Sequence, residues 1–567
     1  MKKRREKIQK ELQNSVSKTI ECNEWRSSII LEGTVDCWDD VVNAGKVAAN
    51  KGYKGVVNRI EVKNLKIPKI SQPLISDNSL DKTSTDVLII GGGIIGCAIA
   101  RELAKWDISI LLVDKEDDLA MHTSSRNNGI IHPGLAASPK SKKAYYNVKG
   151  NAIYTKVTKE LGVAFKRSGS YVLFEKKWMQ FALPLIKRRA KQNKIEGAFY
   201  VSKKELREKE PCLDPSIEGA LYFPSTATLS PYKMTIAYAE NAIANGVVLS
   251  LNTIVLGMKN EKEEVVSVKT NRGTIYPKVV INAAGVYADK IADMADDQFF
   301  TIHPRKGEVA LMDKKAGYLL NSIVGKFNLG HSKCITKGGG LVKTIEGNIL
   351  IGPNAYEQPY REDFTTDRES FEMMVDKLIK TIPKLSHSNI ITYMAGIRAA
   401  TYEEDFIIEK SEYVKNLVHV AGIQSPGLAS APAIAEEIEK LALKSLSTRK
   451  AVKRKANWNP KREKDRQLNI TSLEERKTVV YNNSDYGEIV CRCEEVSKGE
   501  VIDAINATIS AKTIDAIKRR TRAGAGRCQG GFCTPIVMKI IEENTDLKMT
   551  EITKKGKNSI ILKKETK

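Results

Sequence analysis

Two sets of residues in this sequence have the types and spacing that chemistry requires. The first is the glycine run Gly91, Gly93 and Gly96, which directly follows the apolar stretch 87–90. The second is a group of cysteines in two close pairs near the end of the chain. Glycines at this spacing let a backbone approach a phosphate, and paired cysteines are metal ligands. The sequence therefore predicts a nucleotide site and a metal site.

Each glycine of the run has a physical reason. Gly91 permits a tight turn, Gly93 lets the backbone approach a pyrophosphate, and Gly96 lets helix and strand pack closely. The N-terminus of the following helix offers free N–H groups to the phosphates. A second apolar run ends at Asp114, whose carboxylate would accept hydrogen bonds from ribose hydroxyls. These features together predict a dinucleotide site, but they do not decide between FAD and NAD.

The cysteines are Cys491 and Cys493, separated by one residue, and Cys528 and Cys533, separated by four. Four thiolates in two close pairs, each held in a turn beside a helix, fit a zinc site or a [2Fe–2S] cluster, and free thiols are the third reading. Nine cysteines in 567 residues are too sparse for a disulfide scaffold. We therefore expect metal binding in a reducing compartment, and a cytoplasmic protein.

Composition excludes several classes of protein. A hydrophobic fraction of 42% in 567 residues is enough for several domains and a large core, which rules out a disordered or fibrous chain. No run of about 18 apolar residues occurs, and the start MKKRREKIQK has no apolar signal core, so we expect a soluble, unexported protein. The net charge of +23 is concentrated in linker and tail segments, and aromatic residues make up only 6%, so we expect no nucleic-acid partner.

The pattern along the chain divides it into units. We predict a small αβ N-terminal domain, a linker, an α/β region, a basic linker, a cysteine module and a basic tail, with bounds 1–66, 67–84, 85–446, 447–486, 487–545 and 546–567. Within the first unit we expect a strand at 29–31, a helix at 38–49 and a strand at 56–62. This order resembles the BON domain, a small module associated with phospholipid surfaces or with scaffolding.

Three further motifs carry a second resemblance. TSSRNNGIIHPGL (123–135), VINAAGVYAD (280–289) and GIQSPGLASAPAIAEEI (422–438) resemble the FAD-dependent amine and α-hydroxy-acid oxidoreductase family, which includes D-amino-acid oxidase. The resemblance implies FAD, a Rossmann-like FAD-binding domain and a β-rich substrate domain. The cofactor-binding residues that it implies are Gly91, Gly93, Gly96, Asp114, Ser124, Ser125, Asn127, Gly129, Gly422, Ser425, Gly427 and Leu428.

The same resemblance implies two catalytic residues. His132 would lie beside the substrate as the base, since a neutral imidazole accepts a proton at cellular pH, and Arg398 would bind a substrate anion through its planar fork. The alternatives are a core histidine and a surface ion pair of Arg398 with the acidic residues at 403–405. Ser425 has the alternative of an ordinary helix start. We also expect these residues to line the pocket: Arg305, Lys306, Thr344, Gly347 and Asn348.

The cysteine module resembles the bacterioferritin-associated-ferredoxin-like [2Fe–2S] domain, including the glycines around its second cysteine pair. The combination of a flavin region with this module resembles the anaerobic glycerol-3-phosphate dehydrogenase family. That resemblance implies oxidation of a small anionic substrate, glycerol 3-phosphate, with electrons leaving through the cluster to a separate acceptor protein or a quinone-linked subunit. Two alternatives stay open: an L-2-hydroxyglutarate or other 2-hydroxy or amino acid dehydrogenase, and a redox scaffold without turnover. The N-terminal unit adds an expected peripheral membrane contact.

Overall fold

The computed structural model describes residues 2–327 and 339–564 of the chain. A large central α/β region carries a small N-terminal unit and a small C-terminal unit, each with its own apolar core. Among the described residues, no helix is both long enough and apolar enough to cross a membrane.

The N-terminal unit is a small sheet covered by two helices. Its elements are α1 (Lys2–Ser15), β1 (Glu21–Trp25), β2 (Ser28–Glu32), β3 (Thr34–Val35), α2 (Trp38–Ala48), β4 (Val56–Asn58) and β5 (Glu61–Val62). β1 pairs antiparallel with β2, and β2 pairs parallel with β4, because the connection through α2 returns the chain in the same direction. β1 was not expected from the sequence, and the predicted strand at 56–62 is divided into β4 and β5.

The central region alternates strands and helices over most of its length. Its first half contains β6 (Thr83–Ile90), α3 (Ile94–Leu103), β7 (Ile110–Val113), β8 (Ile130–Ile131), α4 (Lys142–Glu160), β9 (Phe165–Lys166), β10 (Ser170–Phe174), α5 (Leu183–Gln192), β11 (Phe199–Ser202), α6 (Lys203–Lys209), β12 (Gly219–Phe223), β13 (Ala227–Leu229), α7 (Pro231–Ala244) and β14 (Val248–Ser250). Its second half contains β15 (Val255–Glu261), β16 (Glu264–Thr270), β17 (Gly273–Asn282), α8 (Ala288–Met294), β18 (His303–Met312), β19 (Ile323–Lys326), β20 (Gly340–Lys343), β21 (Ile349–Gly352), β22 (Tyr356–Glu357), α9 (Arg368–Ile379), β23 (Ile390–Ala400), β24 (Ile407–Lys410), β25 (Leu417–Ala421) and α10 (Gly427–Ser447).

One central sheet is Rossmann-like. Its strand order is β14-β7-β6-β17-β16-β15, with β25 beside β17, and β14, β7, β6, β17 and β25 run parallel. The last six residues of β6 are all buried, because α3, α7 and α10 cover one face and a second apolar layer covers the other. Burial on both faces explains why β6 is a continuous apolar run rather than an alternating one.

The other central sheet is the β-rich substrate domain. Its order is β11-β12-β10-β19-β20-β21-β18-β22, and β23 pairs with β18. β18 and β23 are long antiparallel strands in which Arg305 lies opposite Arg398 and Gly307 opposite Gly396. α9 covers one side of this sheet through the buried Met374 and Val375. The predicted fold class, an α/β chain with a Rossmann-like domain and a β-rich domain, is confirmed.

The C-terminal unit is mostly helical. The helix α11 (Leu473–Asn482) precedes the unit. The unit itself contains β26 (Ile489–Cys491), β27 (Val496–Ser497), α12 (Lys498–Asn506), α13 (Ile514–Thr521) and α14 (Thr534–Asn544). α12, α13 and α14 enclose an apolar core that includes Val501, Ile517 and Ile541.

The segments expected to be solvated linker and tail are in part packed. In the stretch 447–486, Arg462 Nε lies 2.6 Å from Glu240 Oε2, and α11 is helical. In the stretch 546–564, Ile552 is fully buried in the C-terminal core and Lys557 Nζ lies 3.0 Å from Glu116. Most of the stretch 451–485 is exposed or half-buried, and paired charges and a few buried apolar side chains hold parts of both segments. Residues 565–567 lie outside the described part.

Candidate flavin and iron–sulfur sites

The turn between β6 and α3 has room for a phosphate only because its residues lack side chains. Gly91 has φ +115°, and a Cβ there would lie 2.4 Å from the Ala283 carbonyl oxygen. A Cβ on Gly96 would lie 1.9 Å from the Gly91 carbonyl oxygen, so the helix could not pack this close to the turn. Gly93 precedes α3, whose first N–H groups point out of the helix end. The cradle therefore fits a pyrophosphate.

The loop 123–129 closes over the N-terminus of α3. Ser124 Oγ accepts a hydrogen bond from the Ile94 N–H at 2.9 Å, and a Cβ on Gly93 would lie 3.1 Å from the same oxygen. The Asn127 amide donates to the Thr123 and Ser124 carbonyls and accepts from the Gly129 N–H, so it fixes the shape of the loop. Three of the four residues predicted here are thus brought to the cradle or shape its loop.

The remaining predicted residues of this region have local roles. The Ser125 hydroxyl donates to the His122 carbonyl at 3.3 Å, which places it within the loop. Asp114 follows β7, and its carboxylate accepts from the Gly92 N–H at 2.6 Å and from the Glu116 N–H at 2.8 Å. Burial raises the pKa of the Asp114 carboxyl. The carboxylate lies against the glycine turn, where a ribose hydroxyl would meet it.

A third loop, residues 422–428, joins β25 to α10. Gly422 has φ +66°, which a glycine adopts without strain, and Ser425 is exposed. α10 begins at Gly427 with no side chain capping its first N–H groups, so this helix end carries uncompensated positive partial charge. The Leu428 carbonyl accepts from the Tyr154 hydroxyl at 2.6 Å. The loop can therefore place N–H groups near a developing negative charge.

Arg398 lies on β23, directly beside the contact between this strand and the loop 123–129. The Thr123 hydroxyl donates to the Ile397 carbonyl at 2.6 Å, and a Cβ on Gly396 would lie 2.3 Å from the Arg126 carbonyl oxygen. Arg398 Nη1 lies 3.3 Å from the Lys306 carbonyl and Nη2 lies 3.2 Å from the Asn354 carbonyl. The guanidinium is half-buried at the boundary between the two central domains.

His132 follows β8 on the other side of this boundary. Its backbone carbonyl accepts hydrogen bonds from the side-chain amides of Asn147 at 2.8 Å and Asn151 at 2.9 Å, both on α4. A Cβ on Gly134 would lie 2.7 Å from Val148, so the chain must turn closely over α4 after the histidine. The backbone of His132 is thus held firmly, and its half-buried side chain lies at the end of a short strand.

The five residues expected to line the pocket all have partners within the chain. Arg305 and Lys306 are almost fully buried and are paired with carboxylates, Arg305 with Glu357 at 2.9 Å and Lys306 with Asp363 at 2.7 Å. Asn348 is fully buried, and its side chain meets Arg522 of the C-terminal unit at 3.0 Å. Thr344 and Gly347 form the turn that precedes Asn348, with Thr344 Oγ1 accepting from the Asn348 N–H at 3.2 Å. Strand position alone does not show which partner a polar side chain meets, so the sequence did not predict these contacts, and the place of the five residues at the pocket stays a prediction.

The four predicted cysteines come together in the C-terminal unit. Cys493 Sγ and Cys528 Sγ are 3.7 Å apart, and a Cβ on Gly526 would lie 2.4 Å from the Cys493 side chain. The Cys533 thiol and the N–H groups of Gly524 and Glu494 donate to Cys491, which lowers the pKa of the Cys491 thiol to about 6. Thiolates with backbone N–H donors around them, in a loop that glycines keep open, fit a [2Fe–2S] cluster.

The C-terminal unit is held against the loop that follows β7 by charge pairs that the sequence did not reveal. The Arg520 guanidinium forms two hydrogen bonds with the Asp118 carboxylate, at 2.9 and 3.0 Å, and the Tyr232 hydroxyl donates to it at 2.8 Å. Arg519 Nη2 lies 2.9 Å from Met121 Sδ. Burial opposes ionisation of Asp118, but Arg520 and Arg519 hold the pKa of this carboxyl below its usual value. In the sequence these arginines are part of an ordinary basic run.

A glycine cradle on a parallel sheet, beside an antiparallel substrate sheet, defines a flavoprotein oxidoreductase. A match to the FAD dependent oxidoreductase family covers residues 86–441, and a match to the BFD-like [2Fe-2S] binding domain covers residues 489–543. The chain belongs to the FAD-dependent oxidoreductase family, and its cofactors are FAD and a [2Fe–2S] cluster.

Three relatives illustrate the similarity. The glycerol 3-phosphate dehydrogenase of Caloramator mitchellensis is 39% identical over 483 residues, which are 85% of this chain and 99% of that protein. One subunit of the anaerobic glycerol-3-phosphate dehydrogenase of Escherichia coli K12 is 23% identical over 80% of this chain and 87% of its own length. The structure of dithionite-reduced L-α-glycerophosphate oxidase from Mycoplasma pneumoniae with FAD bound has a TM-score of 0.61 and 29% identity, covering 67% of this chain and 98% of the oxidase.

Proposed function

We propose that this protein oxidises glycerol 3-phosphate to dihydroxyacetone phosphate and passes the electrons through its [2Fe–2S] cluster to a separate acceptor. The observation that carries the proposal is the 39% identity to a glycerol 3-phosphate dehydrogenase over 99% of that protein. The structure supports it because one chain holds a flavin cradle, an arginine at the domain boundary and a four-cysteine cluster site packed beside the cradle.

The residues of the chain have distinct tasks in this reaction. FAD held at the turn with Gly91, Gly93 and Gly96 would supply a hydride acceptor, and a cluster held by the four cysteines would supply a one-electron acceptor. Arg398 binds an oxygen of the substrate, on the phosphate or at the reacting carbon, through a guanidinium that stays charged at any working pH. His132 accepts the hydroxyl proton as the hydride leaves, since a neutral imidazole is a competent base near neutral pH. The N-terminus of α10 stabilises negative charge that develops nearby.

A substrate panel tests the proposal. Under anaerobic conditions the flavin absorbance of the full chain is followed after addition of glycerol 3-phosphate, glycerol, L-2-hydroxyglutarate or a D-amino acid. We expect glycerol 3-phosphate alone to bleach the flavin rapidly, because glycerol lacks the anion that Arg398 would bind. In the His132→Ala variant we expect slow bleaching with little change in substrate affinity, because a base acts mainly in the transition state. Bleaching by L-2-hydroxyglutarate or a D-amino acid instead would replace the proposed substrate, and no bleaching by any compound would favour a redox scaffold.

We further propose that residues 1–66 form a BON-like unit that contacts an anionic membrane from the cytoplasmic side. The electron acceptor in this proposal is a separate protein or a quinone-linked subunit. Supporting this, α1 exposes Lys3, Lys7 and Lys10 to solvent. Each basic residue near an anionic bilayer contributes about 1 kcal/mol. Reversing these three charges to Glu should reduce co-sedimentation with phosphatidylserine vesicles at low salt, relative to phosphatidylcholine vesicles. Equal pelleting of the two forms would contradict the membrane contact.

A further inference from the structure

The N-terminal unit, here residues 2–62, is docked on the central region by contacts from several of its elements. The Ser28 hydroxyl donates to the Phe299 carbonyl at 3.1 Å, and the Asn58 N–H donates to Thr301 Oγ1 at 2.8 Å. Lys54 Nζ lies 2.7 Å from Glu409. The unit lies outside the family match, which begins at residue 86, whereas the residues it contacts lie within that match. The Caloramator relative is matched over 99% of its length by 85% of this chain. The relatives therefore do not explain what the unit does.

Tyr402 is the centre of the docked surface. It follows β23, is 4% exposed, and belongs to the apolar core of the N-terminal unit rather than to that of its own domain. The Asn58 amide donates to its hydroxyl at 3.0 Å. A Cβ on Gly45 of α2 would lie 2.3 Å from the Tyr402 ring, so the helix packs directly on the ring through a residue that has no side chain.

A continuous series of contacts leads inward from Tyr402. Its ring stacks on the His303 imidazole, with centroids 4.5 Å apart and planes 11° apart. His303 Nδ1 lies 2.8 Å from one Glu357 oxygen, and the other oxygen accepts from Arg305 Nε at 2.9 Å. Lys46 of the N-terminal unit lies 3.9 Å from the same Glu357 carboxylate. The unit therefore approaches this carboxylate both through the ring stack and through a charge.

Arg305 connects the series to both sides of the candidate active site. Its Nη1 donates to Gln424 Oε1 at 3.1 Å, and Gln424 directly precedes Ser425 in the loop before α10. Arg305 is also the residue directly opposite Arg398 in the pairing of β18 with β23. Because Arg305 is 2% exposed, its guanidinium has no room to reorient while these partners hold it.

We propose that the N-terminal unit is a positioning part of the active site. The unit holds Tyr402 against His303, and His303 and Glu357 in turn fix Arg305. Arg305 is the positioning residue for the loop 422–428, through Gln424, and for the strand pair that carries Arg398. The inference rests on the proposed function where glycerol 3-phosphate affinity is measured, whereas the measurement of FAD release does not depend on which substrate is oxidised.

Gly45→Val tests the proposal without removing any residue of the series, because the added side chain must displace α2 from the Tyr402 ring. The matched control is Gly257→Val, since a Cβ on Gly257 has nothing within 4 Å. Lys46→Glu is a second variant, and it changes no buried core residue because the Lys46 side chain is 37% exposed. The new carboxylate would repel the Glu357 carboxylate. FAD release is measured by recovery of flavin fluorescence on dilution, and glycerol 3-phosphate affinity by stopped-flow flavin reduction.

We expect Gly45→Val to accelerate FAD release and to weaken glycerol 3-phosphate affinity, each by about five- to tenfold, the effect of losing one hydrogen bond. Lys46→Glu should change both in the same direction, and Gly257→Val should match the unchanged chain. If the unit only adds stability, Gly45→Val would lower Tm and leave the FAD release rate and the glycerol 3-phosphate affinity of the folded protein unchanged. That result would overturn the inference. If glycerol 3-phosphate fails to reduce even the unchanged chain, the proposed function fails, and the FAD release rates still decide the inference.

Discussion

Gly96 in α3 and Gly307 in β18 each leave space for a group that lies very close. At Gly96 that group is the Gly91 carbonyl of the glycine turn, and at Gly307 it is the Arg398 guanidinium, which a Cβ would meet at 2.5 Å. The absence of a side chain thus determines where the turn and the Arg398 guanidinium can lie.

Gly307→Ala should therefore displace Arg398 without changing its chemistry. We expect weaker binding of glycerol 3-phosphate with FAD content unchanged, because the added methyl group lies against the guanidinium and away from the cradle. Substrate affinity from stopped-flow reduction, beside FAD content from the visible spectrum, checks this. An affinity equal to that of the unchanged protein would show that Arg398 tolerates the shift or does not bind the substrate.

Arg398→Lys keeps the charge and removes the planar fork. A charge-assisted hydrogen bond contributes about 1.5–3 kcal/mol, so kcat/KM for glycerol 3-phosphate should fall by about ten- to a hundredfold. Steady-state turnover with an artificial acceptor measures the change. Unaltered turnover would mean that Arg398 lies outside the working pocket.

Between elements, α13 contacts the loop that follows β7, and we expect this contact to position the two cofactor units relative to each other. In Arg520→Ala the buried Asp118 carboxylate would lose its two-bond partner and keep only Arg519 at 3.4 Å and the Tyr232 hydroxyl. Removing one partner of a buried pair commonly costs about 3–5 kcal/mol. We expect flavin reduction at an ordinary rate and slow cluster reduction, followed by flavin absorbance and by freeze-quench electron paramagnetic resonance. Arg527→Ala, which removes an exposed pair with Asp313, is the matched control and should leave both rates unchanged. Normal cluster reduction in Arg520→Ala would show that the contact does not position the cluster.

A second contact between elements predicts a pH dependence. Glu403 accepts from the Val56 N–H of the N-terminal unit at 3.0 Å, and burial, with a smaller effect of Glu404, raises the pKa of the Glu403 carboxyl to about 7. Because this pKa lies above the value of 4.5 for a free carboxyl, the stability that the proton contributes is complete at low pH and is lost as the pH rises through about 7.

Hydrogen exchange of β4 should accordingly be slower near about pH 5.5 than near about pH 8, after correction for intrinsic rates. Glu403→Gln keeps an acceptor for the Val56 N–H without the charge, and it should remove this dependence. The same dependence in Glu403→Gln would assign it to another group.

Across the whole molecule, sequence-based prediction succeeded where the signal was local. β6, the glycine turn and α3 follow one another within a short stretch, and both cysteine pairs are short motifs, so type and spacing predicted a dinucleotide site and a metal site. The resemblance of longer motifs to known families then indicated FAD and a [2Fe–2S] cluster, and the family matches confirm both. Sequence-based prediction failed where function depends on distant partners. Arg520 meets Asp118 across 402 positions, and Asn348 contacts Arg522 of the C-terminal unit. The packing of Tyr402 was equally hidden, because it joins the apolar core of the N-terminal unit.

We expect glycerol 3-phosphate to reduce the flavin and the electrons to reach the cluster within the same chain. Anaerobic titration of the full chain with glycerol 3-phosphate, read by flavin absorbance and by electron paramagnetic resonance of the cluster, tests this expectation directly. We predict loss of the flavin absorbance together with a reduced-cluster signal, complete at about 1.5 equivalents, because FAD takes two electrons, the cluster takes one and each substrate supplies two. An unbleached flavin, or a bleached flavin whose cluster stays oxidised at excess substrate, would contradict the account.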